Sequence, residues 1–234
     1  MSEDVVVERR GRAGIITLDR PRAMNALTHP MVRAVLAALD AWRDDDGVQT
    51  VVVRGAGDRG LCAGGDVVGL RHAILDGEVE GTLAFFRDEY RMDAAVARFP
   101  KPVVTLMDGV VLGGGIGIAG HASHRVVTER SRIGFPEVTI GFAPDVGASW
   151  LLSRPAARRV GAWMALTACH DSTTGWPGAP STVGISASTW AGRCCQAASS
   201  DRTCDAVSSG RSATTSMRSR PAGDDTWSLK IGRA

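Results

Sequence analysis

Net charge is nearly absent from this 234-residue sequence: the formal value is +2 at pH 7. That balance removes the electrostatic case for nucleic acid or an anionic membrane surface as the main partner. It still leaves room for the few basic residues that an anionic ligand needs. No apolar run approaches the length that crosses a bilayer, so no membrane partner is expected. Met1–Arg12 is mixed and charged and lacks the apolar stretch of a secretory signal, which makes the cytoplasm the expected location. Cysteine is scarce and odd in number, five in all. Cys62 stands alone in the first two-thirds, while Cys169, Cys194, Cys195 and Cys204 crowd the end. A disulfide framework is not expected in such a chain. These cysteines also lack the paired C-x-x-C spacing that zinc takes, so no metal is expected.

The shortage that divides the chain lies near its end. From residue 168 to 234, Val, Leu, Ile, Met and Phe together make up roughly one residue in eleven and Ser plus Thr roughly a third, with no Glu at all. So little apolar area cannot offset the entropy of ordering the segment. Trp176, Trp190 and Trp227 stand isolated there, with no helical or strand period. The residue types that remain (Ala, Arg, Gly, Ser, Thr) are those of G+C-rich codons. That points to translation from a shifted reading frame rather than to a natural disordered tail. Two parts are expected: a patterned domain over 1–167 and an atypical segment over 168–234.

What is present in the first part is periodic. Val5–Val7 and Gly14–Leu18 read as a hairpin of β-branched strands. Thr28 can cap a helix that runs to about Asp44, with Met31, Val32, Val35, Leu36, Leu39 and Trp42 on one stripe. Thr50–Val53 is apolar throughout, as in a strand covered on both faces. Leu83–Phe99 reads as a second long helix, closed by Pro100. Val103–Met107 and Arg125–Thr128 read as further strands. Strands alternating with helices define an α/β fold with parallel pairing.

Chemistry can sit in four short runs. Leu61-Cys62-Ala63-Gly64-Gly65-Asp66 follows an apolar strand and precedes a helix, where small residues admit a ligand and unpaired amides face outward. Leu112-Gly113-Gly114-Gly115-Ile116-Gly117 offers a second such place. Gly115-x-Gly117-x-x-Gly120 also fits the dinucleotide fingerprint, but a domain that opens with a hairpin is the wrong context for it. Phe135-Pro136-Glu137 and Ala143-Pro144-Asp145 each hold an acid behind a proline, which fixes the approach of the chain. A lone acid in such a loop is ordinarily a helix cap or a solvated residue, and Asp145 has N-cap character. His29, His72, His121 and His124 show no useful partner spacing and read as surface or packing residues. Cys62 reads as a small buried filler. Arg20 and Arg22 suit either phosphates or an ordinary loop.

Taken together and in order, these runs resemble the crotonase (enoyl-CoA hydratase/isomerase) superfamily. Asp19-Arg20-Pro21-Arg22-Ala23-Met24-Asn25-Ala26-Leu27 is similar to that family's opening. More narrowly, Phe85-Phe86-Arg87-Asp88-Glu89-Tyr90 and Pro144-Asp145-Val146-Gly147 resemble the 3-hydroxyisobutyryl-CoA hydrolases. The resemblance implies a crotonase-like spiral of ββα units, an acyl-CoA substrate and no separate cofactor. It implies an oxyanion hole from the amides of Gly65 and Gly114, with Glu137 and Asp145 catalytic and Glu89 and Asp66 contacting substrate. Hydratases of the superfamily carry a glutamate where this chain has Gly117, so hydrolysis rather than hydration is expected. The family continues with helices that complete the acyl pocket and help build a homo-oligomer. Ala156–Ala168 is expected to begin them, anchored by Trp163, Met164 and Leu166.

Overall fold

The computed structural model describes residues 2–153, 162 and 164–166, together with the backbone of Trp227–Lys230. Strands β1 (Val5–Arg10) and β2 (Ala13–Leu18) form the expected hairpin, with Val5 opposite Leu18 and Arg10 opposite Ala13. Gly11, at φ 61°, makes the reversal. Helix α1 (His29–Arg43) begins where Thr28 accepts a hydrogen bond from the Met31 N–H and ends at Asp44. It buries Met31, Val32, Val35, Leu39 and Trp42.

Thereafter the chain repeats one unit. β3 (Thr50–Gly55) and β4 (Gly60–Cys62) lead to α2 (Val67–Leu75) and α3 (Val79–Ala97). β5 (Val103–Met107) and β6 (Val110–Leu112) lead to α4 (Gly114–Gly120). β7 (His124–Val127) and β8 (Arg132–Gly134) lead to a 3-10 turn, Glu137–Ile140, and to α5 (Ala148–Ser153). The first strand of each unit joins a large sheet ordered β1-β2-β3-β5-β7, and the second joins a small sheet ordered β4-β6-β8. All pairings except β1·β2 are parallel, so the chain winds as a spiral and stacks equivalent strands in both sheets. Val51 and Val53 of β3 are buried while Val52 is only partly covered. The core joins α1, both sheets and the buried face of α3, through Leu39, Ile16, Met92 and Val111 among others.

Two expectations for the chain beyond α5 need correction. Leu166, expected as an apolar anchor, is exposed, whereas Met164 is buried in the core. Trp227, which shows no strand period, opens the parallel strand β9 (Trp227–Lys230) beside β7, with His124 opposite Trp227. The backbone edge of β7 accepts a partner strand whatever its side-chain pattern. Trp163, Cys169, Cys194, Cys195 and Cys204, and the remainder of the 168–234 segment, lie outside the described residues.

Candidate active site

Both glycine runs lie at the same step of the repeat, where a small-sheet strand hands over to a helix. Gly64 (φ 104°) and Gly113 (φ 47°) take backbone angles that side chains resist. The turns use most nearby amides internally. The Gly64 N–H reaches Cys62 Sγ at 3.4 Å, the Asp66 N–H donates to the Leu27 carbonyl at 2.8 Å and the Gly113 N–H to the Gly134 carbonyl at 3.2 Å. The N–H groups of Gly65 and Gly114 donate to no partner among the described residues. They are also close together. A methyl built on Gly114 would stand 3.3 Å from Gly65 N, and one on Gly64 3.6 Å from Gly114 N. Two unpaired amides this close together suit an external oxygen acceptor.

Buried acids surround this pair. Pro136 leads into the 3-10 turn and sets Glu137 at its first position, 6% exposed. Glu137 Oε1 lies 2.7 Å from the place a Cβ on Gly113 would take, and Oε2 is buried with no partner among the described residues. Burial, and then the charge of Asp145, pushes this carboxyl up to about 7. Glu89 of α3 is 2% exposed and would overlap any methyl on Gly114. Burial first, then Asp145 and Glu137, pushes it up to about 8. Asp145 accepts a hydrogen bond from the Tyr90 hydroxyl at 2.7 Å rather than capping a helix with its side chain. Burial raises its carboxyl above the usual range despite the opposing effect of that bond. The Tyr90 phenol is pushed up in turn, by burial and by Asp145.

The structure places Glu137 and Glu89 beside the turns of Gly113 and Gly114, with Gly65 adjoining and Asp145 near enough for its charge to act on both acids. Asp66 is placed otherwise. One carboxylate oxygen accepts from the Gly69 N–H at 3.2 Å and caps α2, and the other pairs with Arg20 at 2.9 Å. Arg20 is thereby occupied as well. Cys62 is fully buried with its thiol pushed up to about 12, mainly by burial, so it fills space and is not a nucleophile. His29 meets Asp88 at 2.8 Å, and His121 meets the Val146 carbonyl at 2.9 Å. Val146 itself holds φ 42°, a strained angle for a β-branched residue and one found typically at functional sites.

Sequence reasoning missed Asp93. It lies one helical turn beyond Glu89 on α3, 5% exposed, with both carboxyl oxygens unpartnered among the described residues. Burial, and then Glu89 and Asp145, raises it well above the usual carboxylate range. The available signal was its place on the buried stripe of Phe85, Glu89, Met92 and Val96, where a solvated acid does not belong. Asp93 lines an open cleft of about 450 Å³ together with Tyr90, His121, Asp145 and Val146.

Stacked ββα units whose glycine turns face buried acids define a protein of crotonase-type fold. Residues 13–173 match the family model described as enoyl-CoA hydratase/isomerase. The chain belongs to that family. It is 42% identical over 166 residues to the mitochondrial 3-hydroxyisobutyryl-CoA hydrolase of Rattus norvegicus, covering 70% of this chain and 42% of that one. The corresponding enzyme of Gallus gallus is 40% identical over 164 residues, with the same coverage. Among solved structures, a carnitinyl-CoA dehydratase from Mycobacterium thermoresistibile shares 47% identity at a TM-score of 0.69, over 72% of this chain and 49% of that one. An enoyl-CoA hydratase from Rhodobacter sphaeroides shares 46% identity at a TM-score of 0.69, over 72% and 50%. The chain therefore spans less than half the length of these hydrolase relatives.

Proposed function

We propose that this chain carries the thioester-cleaving site of an acyl-CoA hydrolase acting on a short 3-hydroxyacyl group, 3-hydroxyisobutyryl-CoA foremost. On this reading, the amides of Gly65 and Gly114 hold the thioester carbonyl oxygen and stabilise the negative charge it gains when the carbon is attacked. Removing one such donor typically costs about 3 kcal/mol. Glu137, as carboxylate, either takes a proton from the attacking water or attacks to form an anhydride that water then opens. A carbon–oxygen bond forms, the carbon–sulfur bond breaks, and the thiolate of CoA leaves and takes up the proton. Asp145, held by Tyr90, orients the substrate hydroxyl or the water, and Glu89 backs the carbonyl site. The products are 3-hydroxyisobutyrate and CoA, a step of valine breakdown.

The observation that carries this reading is the approach of Glu137 Oε1 to the turn at Gly113, beside two amides with no partner among the described residues. The names of the hydrolase relatives agree with it. The names of the two solved structures favour a second reading, addition or removal of water at a double bond. Against it stands Gly117, where a methyl would lie 2.8 Å from both Asp93 oxygens and 2.9 Å from Val146 Cβ, leaving no room for a second glutamate. Thiol release from 3-hydroxyisobutyryl-CoA tests the choice. Release that falls by about 10²–10⁴-fold in Glu137→Gln is the expected outcome. Water addition to crotonyl-CoA without thiol release would establish the second reading, and acyl-CoA binding with neither reaction would mark an inactive binding fragment.

A further inference from the structure

The proposed chemistry leaves one buried acid of the site without a task. Asp93 is 5% exposed, lines the cleft beside Tyr90 and Asp145, and finds no partner for either oxygen among the described residues. It faces Gly117, where a methyl would stand 2.8 Å from each oxygen. Glycine at 117 is therefore what makes room for the acid. Gly117 lies about one turn beyond Gly114 on α4, and Asp145, which lines the cleft with Asp93, acts by its charge on Glu137 beside the glycine turn. An acyl group whose carbonyl oxygen rests on the Gly114 amide can therefore extend toward Asp93.

We infer that Asp93 is a specificity-determining residue: with the Tyr90–Asp145 pair it forms a polar wall that selects an acyl group bearing a hydroxyl near its third carbon over the same group without one. This rests on the reading of the chain as an acyl-CoA enzyme. A buried carboxyl without a partner is costly, and a ligand hydroxyl removes that cost. An unsubstituted acyl group leaves the cost in place, which is how sites built around a substrate hydroxyl reject its analogue. The low-dielectric setting and the neighbouring acids Glu89 and Asp145 keep Asp93 in its neutral form well above the usual carboxylate range. A neutral carboxyl can both donate to and accept from the hydroxyl.

The test titrates the full chain with two non-hydrolysable thioether analogues of an acyl-CoA, alike except for the hydroxyl on the third carbon. The wild-type chain is expected to bind the hydroxylated analogue at least about tenfold more tightly. In Asp93→Ala that preference falls by about tenfold or more, while Asp93→Asn, which keeps the shape and the hydrogen bonding, retains most of it. Asp93→Leu, an apolar replacement of similar size, carries the same expectation and serves if the alanine variant does not fold. A preference that survives in the alanine or leucine variant overturns the inference. So does a wild-type chain that fails to discriminate between the analogues or binds neither. Because the readout is binding, absent hydrolysis bears on the proposed reaction alone, and an unchanged preference bears on Asp93 alone.

Discussion

The two glycine turns occupy equivalent places in successive ββα units, yet they are finished differently. After the first, Asp66 caps α2 and pairs with Arg20, and none of the residues of α2 is buried. After the second, α4 starts at Gly114 without a side-chain cap, and all seven of its residues are buried. Close packing fixes the second turn: a Cβ on Gly115 would lie 2.5 Å from the Cys62 carbonyl oxygen. A surface cap and an ion pair position the first. The amide pair therefore has one half locked by the core and one half set from the surface.

Substituting the two glycines should separate the two turns most strongly. A methyl on Gly114 overlaps Glu89 and approaches Gly65 N, whereas a methyl on Gly65 meets only the edge of Phe85, at 3.3 Å and 3.5 Å. Gly114→Ala is expected to lower the rate of thiol release by about 10²–10³-fold. Gly65→Ala should cost about tenfold, since its neighbour is a side chain that can yield. Equal losses in a steady-state assay would remove the asymmetry.

A pH profile sharpens the chemistry next. In the proposed reaction Glu137 acts as a carboxylate, and burial raises it to about 7. The value of kcat/KM is therefore expected to fall about tenfold per unit as pH drops below about 7 and to level off above it. A profile flat down to pH 5 would exclude Glu137 as the base or nucleophile.

The smallest effect belongs to the surface half. Asp66→Ala removes a helix cap worth about 1 kcal/mol and a partly buried ion pair worth about 1 kcal/mol. The unfolding midpoint is expected to drop by about 2–8 °C, with less loss of thiol release than in Gly65→Ala. Calorimetry alongside the assay checks both. A catalytic loss matching Gly114→Ala would return Asp66 to the substrate site.

The long elements were legible because their patterns are long. Thr28, the stripe from Met31 to Trp42 and Asp44 mark α1 correctly, and β5 falls on Val103–Met107 as read. The small sheet was not legible. β4, β6 and β8 are three residues each, too short for a period, and two of them run directly into glycine turns. Glu137 and Asp145 stood out because prolines precede them and a family resemblance gave them roles. Asp93 did not, because its meaning depends on the Gly117 of another helix, a contact that spacing within α3 cannot reveal. Asp66 was misleading for the opposite reason: an acid after Gly-Gly suits a ligand and a helix cap equally well, and here it is the cap.

The proposed site requires that Gly65 and Gly114 donate together to one carbonyl oxygen. Isotope-edited infrared spectroscopy of a bound acyl-CoA, labelled at the thioester carbonyl and followed in Glu137→Gln to prevent turnover, tests it most directly. The expected result is a carbonyl stretch moved to lower frequency than in solution, with much of that shift lost when Gly114→Ala is added. A bound carbonyl that absorbs at its solution frequency would show that the two amides do not hold it.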